Sequence, residues 1–258
     1  MYLCQILTKG CVFYLNNIVK KILNIFLCLL LIFSLYKILF KIVDYKKAST
    51  TYTQIEEVFI NESKNNTKEN IFPKMKELNA DYSFWINVEN TTVNYPVVKG
   101  NNNFDYLKQN FNKENSSSGS IFLDYRNVFT EDFNTLIYGH NMKNKTMFNH
   151  IENYKDEEFF KQNNKIKITD KDSVYTYEVF SVYLADGSKN ADPHYLINAS
   201  MDTFEIDTYI SEIQSNSLYQ NNLEVTPYDK IITLVTCSYE SSDIRTLVHA
   251  KLTKTDNL

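Results

Sequence analysis

The sequence predicts a mostly β domain, a closed barrel or sandwich of about eight strands, with N-terminal and inserted helices and a membrane-spanning helix ahead of it. Three observations lead there. Short apolar runs recur from Phe84 onward, separated by segments rich in Asn, Asp and Ser, which is how strands joined by turns are punctuated. Two longer stretches with helical spacing interrupt those runs. Near the N-terminus stands one unbroken apolar stretch, Ile22 to Phe40.

That stretch, ILNIFLCLLLIFSLYKILF, is wholly apolar apart from a few positions, and its one charge is Lys37 close to an end. At about 1.5 Å per residue it reaches roughly 28 Å, enough to cross a hydrocarbon core. The stem of Lys37 can snorkel to the headgroups. A cleaved signal peptide would have a shorter apolar region and a small-x-small cleavage site, and Tyr45-Lys46-Lys47-Ala48 provides none. Residues 22–43 are therefore expected to be a retained transmembrane signal anchor. Lysines flank both ends; Lys9, Lys20 and Lys21 are assigned to the inside. Residues 1–21 are then cytoplasmic and the domain that follows the anchor is extracellular.

After the anchor, Tyr52 to Lys64 has an amphipathic pattern, with Ile55, Val58 and Phe59 on one side. Asn61 to Asn70 is polar and expected to loop, and a short helix is expected over Phe72 to Asn79. Residues 44–80 thus form a helical stalk or N-terminal cap. The expected strands are Trp85–Val88, Val93–Val98, Ser120–Leu123, Leu136–Tyr138, Lys165–Thr169, Val174–Leu184, Ile231–Thr236 and Thr246–Leu252. Inserted helices are expected over Thr146–Gln162 and Met201–Ser215. Eight irregularly spaced strands point to a barrel or sandwich and away from a parallel sheet.

Composition narrows the function. A net charge of -4, 14% aromatic residues and only 5 Gly and 4 Pro describe a globular chain, neither disordered nor nucleic-acid-binding. Up to Lys47 the chain is basic, with seven lysines against Asp44 alone. Cys4, Cys11 and Cys28 precede or lie within the anchor, which leaves Cys237 alone in the exported domain. One cysteine makes no internal disulfide framework. Such a thiol is either a buried structural residue or a reactive group.

The run Ile231 to Thr236 delivers Cys237 to the end of a β-branched strand, ahead of the polar Ser238 to Ser242. There a rigid element holds the thiol at a rim that a substrate can reach. Arg245 opens the next strand. A fixed cation beside a thiol lowers its pKa and can hold a developing oxyanion. An acid/base must come from His140, His150, His194 or His249. His140 follows Leu136-Ile137-Tyr138-Gly139 and is well placed to project into a groove, whereas His249 shares a strand face with Arg245 but lies about 13 Å further along. No His/Cys/Asp/Glu cluster has metal-ligand spacing, and no cofactor is called for.

TLVTC with a downstream Arg, and YGHNM upstream, resemble the signature of the sortase family. The likeness extends through WINVENTTVNYPVVKG, SGSIFLDYRN and MFNHIENYKDEEFF, covering about Asp81 to Leu252. The N-terminal helices and the helix inserted before the cysteine strand resemble class B; Val235 stands where many class B members have serine. The resemblance implies a closed sortase-type β-barrel over residues 81–258 and a cysteine transpeptidase. By it, Cys237 attacks a Thr-X bond of a sorting-signal peptide to give a thioester, His140 exchanges protons and Arg245 holds the oxyanion. It also places Tyr195, Leu196 and Leu107 along the peptide groove. The implied acceptor is an amine of a peptidoglycan precursor, or a pilin lysine. Two other readings stay open: a cell-surface cysteine protease, and a catalytically silent binding module on the same barrel.

Overall fold

The structure, a computed structural model, describes residues 2–64, 71–187, 203–237 and 243–258. It divides into two compact units, Met1–Lys47 and Ala48–Leu258. Helix α1 (Tyr2–Lys64) supplies the first unit and the start of the second. Within it, Ile22, Leu31, Phe40 and Val43 are all more than half exposed. By length and composition the segment Val19–Glu62 contains a window apolar enough to cross a membrane, with none of that window buried in protein.

The second unit is built on eight strands: β1 (Tyr82–Val88), β2 (Asn94–Val98), β3 (Ile121–Leu123), β4 (Asn134–Tyr138), β5 (Lys165–Thr169), β6 (Ser173–Asp186), β7 (Ile231–Cys237) and β8 (Ile244–Asn257). They close into a barrel in the order β1-β2-β3-β4-β7-β8-β6-β5. Every expected strand is present. Sequence character follows position in the barrel. β5 alternates, with Ile166 and Ile168 buried and Lys165 and Lys167 exposed, as a strand with one wet face must. β7 is apolar almost throughout because both its faces are covered. Ile232 and Leu234 are fully buried toward the barrel interior, while Ile231 and Val235 pack with Tyr209, Ile210 and Ile213 of helix α4 (Thr203–Ser215). The long pair β6–β8 carries two register shifts, at Thr176/Tyr177 and Val179/Ser181, and such bulges bend strands so that a sheet can close.

The helices bring one correction. The stretch expected as a single helix over Thr146–Gln162 is a 3-10 turn, Asn149–Lys155, followed by a separate α3 (Glu157–Gln162). Asp156 between them is extended, and its carboxylate accepts the Phe159 N–H at 2.8 Å. An aspartate that caps the next helix competes with continuation of the previous one. Upstream, α2 (Ile71–Leu78) matches the expected short helix. The expected loop over Asn61–Asn70 is helical as far as Lys64, and residues 65–70 lie outside the described residues. The amphipathic face of α1 docks on the barrel: Tyr52 and Ile55 are buried and Phe59 stacks on Trp85 with ring centres 4.0 Å apart.

Candidate active site

β4 and β7 run parallel, in register from Asn134 opposite Ile231 to Tyr138 opposite Val235. The Gly139 N–H extends that ladder, donating to the Val235 carbonyl at 3.1 Å. On its other side β7 pairs antiparallel with β8, placing Thr233 opposite His249, Val235 opposite Leu247 and Cys237 opposite Arg245. A pleat has period two, so positions on one barrel face fall into successive rows. Tyr138, Val235 and Leu247 form one row, packed with the α4 cluster. In the next row Cys237 on β7 faces Arg245 on β8, and His140 follows two residues after Tyr138, the last β4 position paired with β7. Neighbouring strands are about 4.8 Å apart. The backbone of Cys237 therefore has Arg245 opposite it on one side, and on the other side β7 lies beside the end of β4, just ahead of His140.

Local packing explains why each flanking residue sits where it does. At Gly139 any side chain would collide with Phe148, since an added Cβ would lie 2.6 Å from Phe148 Cγ. Glycine lets the strand end pass close over that ring and turn outward at His140. The turn is secured by the Phe148 N–H, which donates to the His140 carbonyl at 3.0 Å. His140 is half-buried, and its Nε2 lies 2.8 Å from the Leu107 carbonyl. Arg245 is also half-buried, and its guanidinium donates to the Ile244 carbonyl at 3.2 Å. Its side chain lies against Gly187, where an added Cβ would meet Arg245 Cγ at 2.7 Å.

The other sequence candidates fare differently. Leu107 ends a 3-10 turn, Asp105–Leu107, and is half-buried beside His140. Tyr195, Leu196 and His194 lie outside the described residues, as do the polar residues 238–242. His150 is half-buried in the 3-10 turn; burial, aided by Lys145, lowers its pKa. His249 is a core group. It is 0% exposed, its Nδ1 lies 2.9 Å from the Thr233 hydroxyl, and its ring stacks on Tyr183. Burial pushes its pKa down to about 3. Among the described residues no group of three or more His, Cys, Asp or Glu is placed to hold a metal ion.

Sequence reasoning overlooked Gly119 and Gly187, which make room for His140 and Arg245 respectively. A signal was available. The chain has only five glycines, and Gly119, Gly139 and Gly187 all border this row. It also overlooked Glu152, a buried carboxylate that accepts the Thr246 hydroxyl and pairs with Lys155 at 2.8 Å. Nothing in the run HIENYKDEEFF distinguishes that glutamate from its exposed neighbours.

A family model described as Sortase domain matches residues 86–253. Among curated proteins, Sortase B of Staphylococcus aureus is 29% identical over 239 residues, covering 90% of this chain and 96% of that protein. Among solved structures, sortase B of Clostridium perfringens is 38% identical with a TM-score of 0.68, covering 70% of this chain and 99% of that one. A Staphylococcus aureus sortase B-substrate complex is 29% identical with a TM-score of 0.75, covering 82% of this chain and 99% of that one.

Proposed function

The chain belongs to the sortase family of cysteine transpeptidases, and on that footing we propose that Cys237, His140 and Arg245 carry the reaction on a sorting-signal peptide. The Cys237 thiolate attacks the carbonyl carbon of a Thr-X bond, and the carbonyl electrons move onto oxygen. Arg245 holds that oxyanion by directed hydrogen bonds. As the intermediate collapses the C–N bond breaks, and the departing amine takes its proton from His140, leaving a thioester. An incoming amine gives a proton to His140 as it attacks the thioester, forming the new amide and releasing the thiolate. Tyr195, Leu196 and Leu107 line the peptide groove in this reading, supported by sequence likeness.

The observation that supports the assignment is the pairing of Cys237 with Arg245 across β7 and β8, next to the end of β4 that leads into His140. A thiol and an imidazole alone would also suit hydrolysis. The choice of transfer rests on family membership, and the Staphylococcus aureus relative crystallised with its substrate makes a peptide the natural donor. The acceptor is an amine of a peptidoglycan precursor, with a pilin lysine as the alternative. The apolar helix would anchor the enzyme in the cell membrane by a single pass, with the barrel outside.

Incubating the protein with a sorting-type peptide, with and without an amine acceptor, separates the readings. Transfer to the amine supports the transpeptidase. Hydrolysis unchanged by amine would indicate a surface protease, and an intact peptide would indicate a silent binding module.

A further inference from the structure

The hydrogen bond at His140 decides which ring nitrogen can do chemistry. A carbonyl oxygen only accepts, so at 2.8 Å from the Leu107 carbonyl the His140 Nε2 must carry the hydrogen. The remaining lone pair is on Nδ1. A mobile carbonyl would enforce nothing, but that of Leu107 is held on several sides. The Ser120 N–H donates to the Tyr106 carbonyl at 2.9 Å, and the Ser116 N–H donates to the Lys108 carbonyl at 2.8 Å. The Tyr106 hydroxyl donates to Asp81 at 2.7 Å and accepts from Asn79 at 3.0 Å. The turn that ends at Leu107 is thereby strapped to Ser116–Ser120.

The strap itself is pinned from α1. The Tyr52 hydroxyl, buried, donates to the Gly119 carbonyl at 2.8 Å and lies 3.2 Å from Ser120 Oγ, whose own hydrogen goes to the Gln109 carbonyl at 2.8 Å. Burial raises the phenol pKa well above its usual value, so this donor stays protonated. Gly119 sits at φ +57°, and an added Cβ would lie 2.7 Å from the Tyr106 oxygen, 2.9 Å from the Leu107 oxygen and 3.0 Å from His140 Cδ2. Glycine is thus needed both for its backbone conformation and for the approach of imidazole to carbonyl.

We propose that the Leu107 carbonyl fixes His140 as its Nε2–H tautomer, making Nδ1 the proton-exchanging nitrogen, and that Tyr52 of α1 is a positioning residue for this pair. The assignment of Nδ1 to catalysis rests on His140 being the acid/base; the tautomer and the role of Tyr52 in setting it do not. Fixing the partner of one ring nitrogen sets the tautomer and ring orientation; at metal-bound histidines, removing such a partner typically costs about 10- to 100-fold, and the Leu107 carbonyl has the same orienting role for His140.

The test uses the full chain in detergent micelles with its four histidines labelled with nitrogen-15, at alkaline pH where imidazole is neutral. The ring nitrogen shifts of His140, assigned by their loss in His140→Ala, should report Nε2–H alone. Gly119→Ala and Tyr52→Phe should each produce a mixture of tautomers. Tyr52→Phe, which removes only an oxygen, should lower kcat about tenfold with KM little changed. An Nδ1–H tautomer in the parent protein would overturn the proposal. So would parent-like shifts in Tyr52→Phe, which stays informative if Gly119→Ala fails to fold. Full activity in His140→Ala would instead reject the catalytic reading while leaving the tautomer assignment standing.

Discussion

Arg245 and His140 are the residues whose chemistry can be separated from mere charge and mere placement. A guanidinium offers a planar fork of donors, an ammonium a compact point charge. If Arg245 holds an oxyanion by directed bonds, Arg245→Lys should lose roughly a hundredfold or more in peptide cleavage, the loss typical of removing one such donor. The Cys237 thiol should still be alkylated at a similar rate, because a positive charge remains nearby. Near-normal turnover would leave general electrostatics as the explanation. For the histidines, His140→Ala should cut turnover by about 10²- to 10⁴-fold, whereas His249→Gln should leave turnover per folded molecule near the parent value. The reverse result would move the acid/base to β8. Cys237, His140 and Arg245 could be singled out as candidates because TLVTC, a histidine after Tyr138-Gly139 and a strand-opening arginine are local patterns. The Leu107 carbonyl, Gly119 and Gly187 were not, because what matters there is a backbone atom or an absent side chain brought near by closure of the barrel.

At the scale of elements, α4 and the strands beneath it share a buried polar chain. The Thr233 hydroxyl donates to Asn134 at 2.8 Å and meets His249 Nδ1, and Asn134 reaches the Tyr209 hydroxyl at 3.3 Å. His249 Nε2 is buried with no hydrogen-bond partner among the described residues, and burial disfavours a charged ring there. Folding therefore favours the neutral form. With its pKa lowered from 6.5 to about 3 in the fold, this histidine contributes full stability above about pH 6.5. Protons then bind the unfolded chain preferentially, and stability falls with pH until about pH 3, by up to about 1.4 kcal/mol per pH unit. Denaturant midpoints measured from neutral to acid pH should show this slope, and His249→Gln should remove that share of it; an unchanged slope would contradict the account. Strand existence was legible because each run is short, apolar and bounded by polar residues. Helix continuity was not, since Lys155-Asp156-Glu157-Glu158 keeps helical character while the Asp156 carboxylate restarts the helix.

For the whole molecule, the second compact unit begins at Ala48, ahead of the first barrel strand. Tyr52, Ile55 and Met75 are buried and Phe59 stacks on Trp85, so α2 and the end of α1 complete the core. Each fully buried large apolar side chain contributes about 1.5–3 kcal/mol. A fragment 48–258 should fold cooperatively and stay soluble without detergent. A fragment 81–258 should be less stable by at least several kcal/mol in chemical denaturation, and equal midpoints would show that those helices are dispensable. The central claim concerns chemistry on this frame, and it is tested most directly by trapping the intermediate. The protein is incubated with a sorting-type peptide, quenched in acid and mapped by mass spectrometry. The account predicts an acyl adduct on Cys237, equal in mass to the peptide fragment ending at its threonine less one water, that discharges when an amine is added and is missing from Cys237→Ala. Peptide cleavage that proceeds in Cys237→Ala, or an adduct on any other residue, would contradict it.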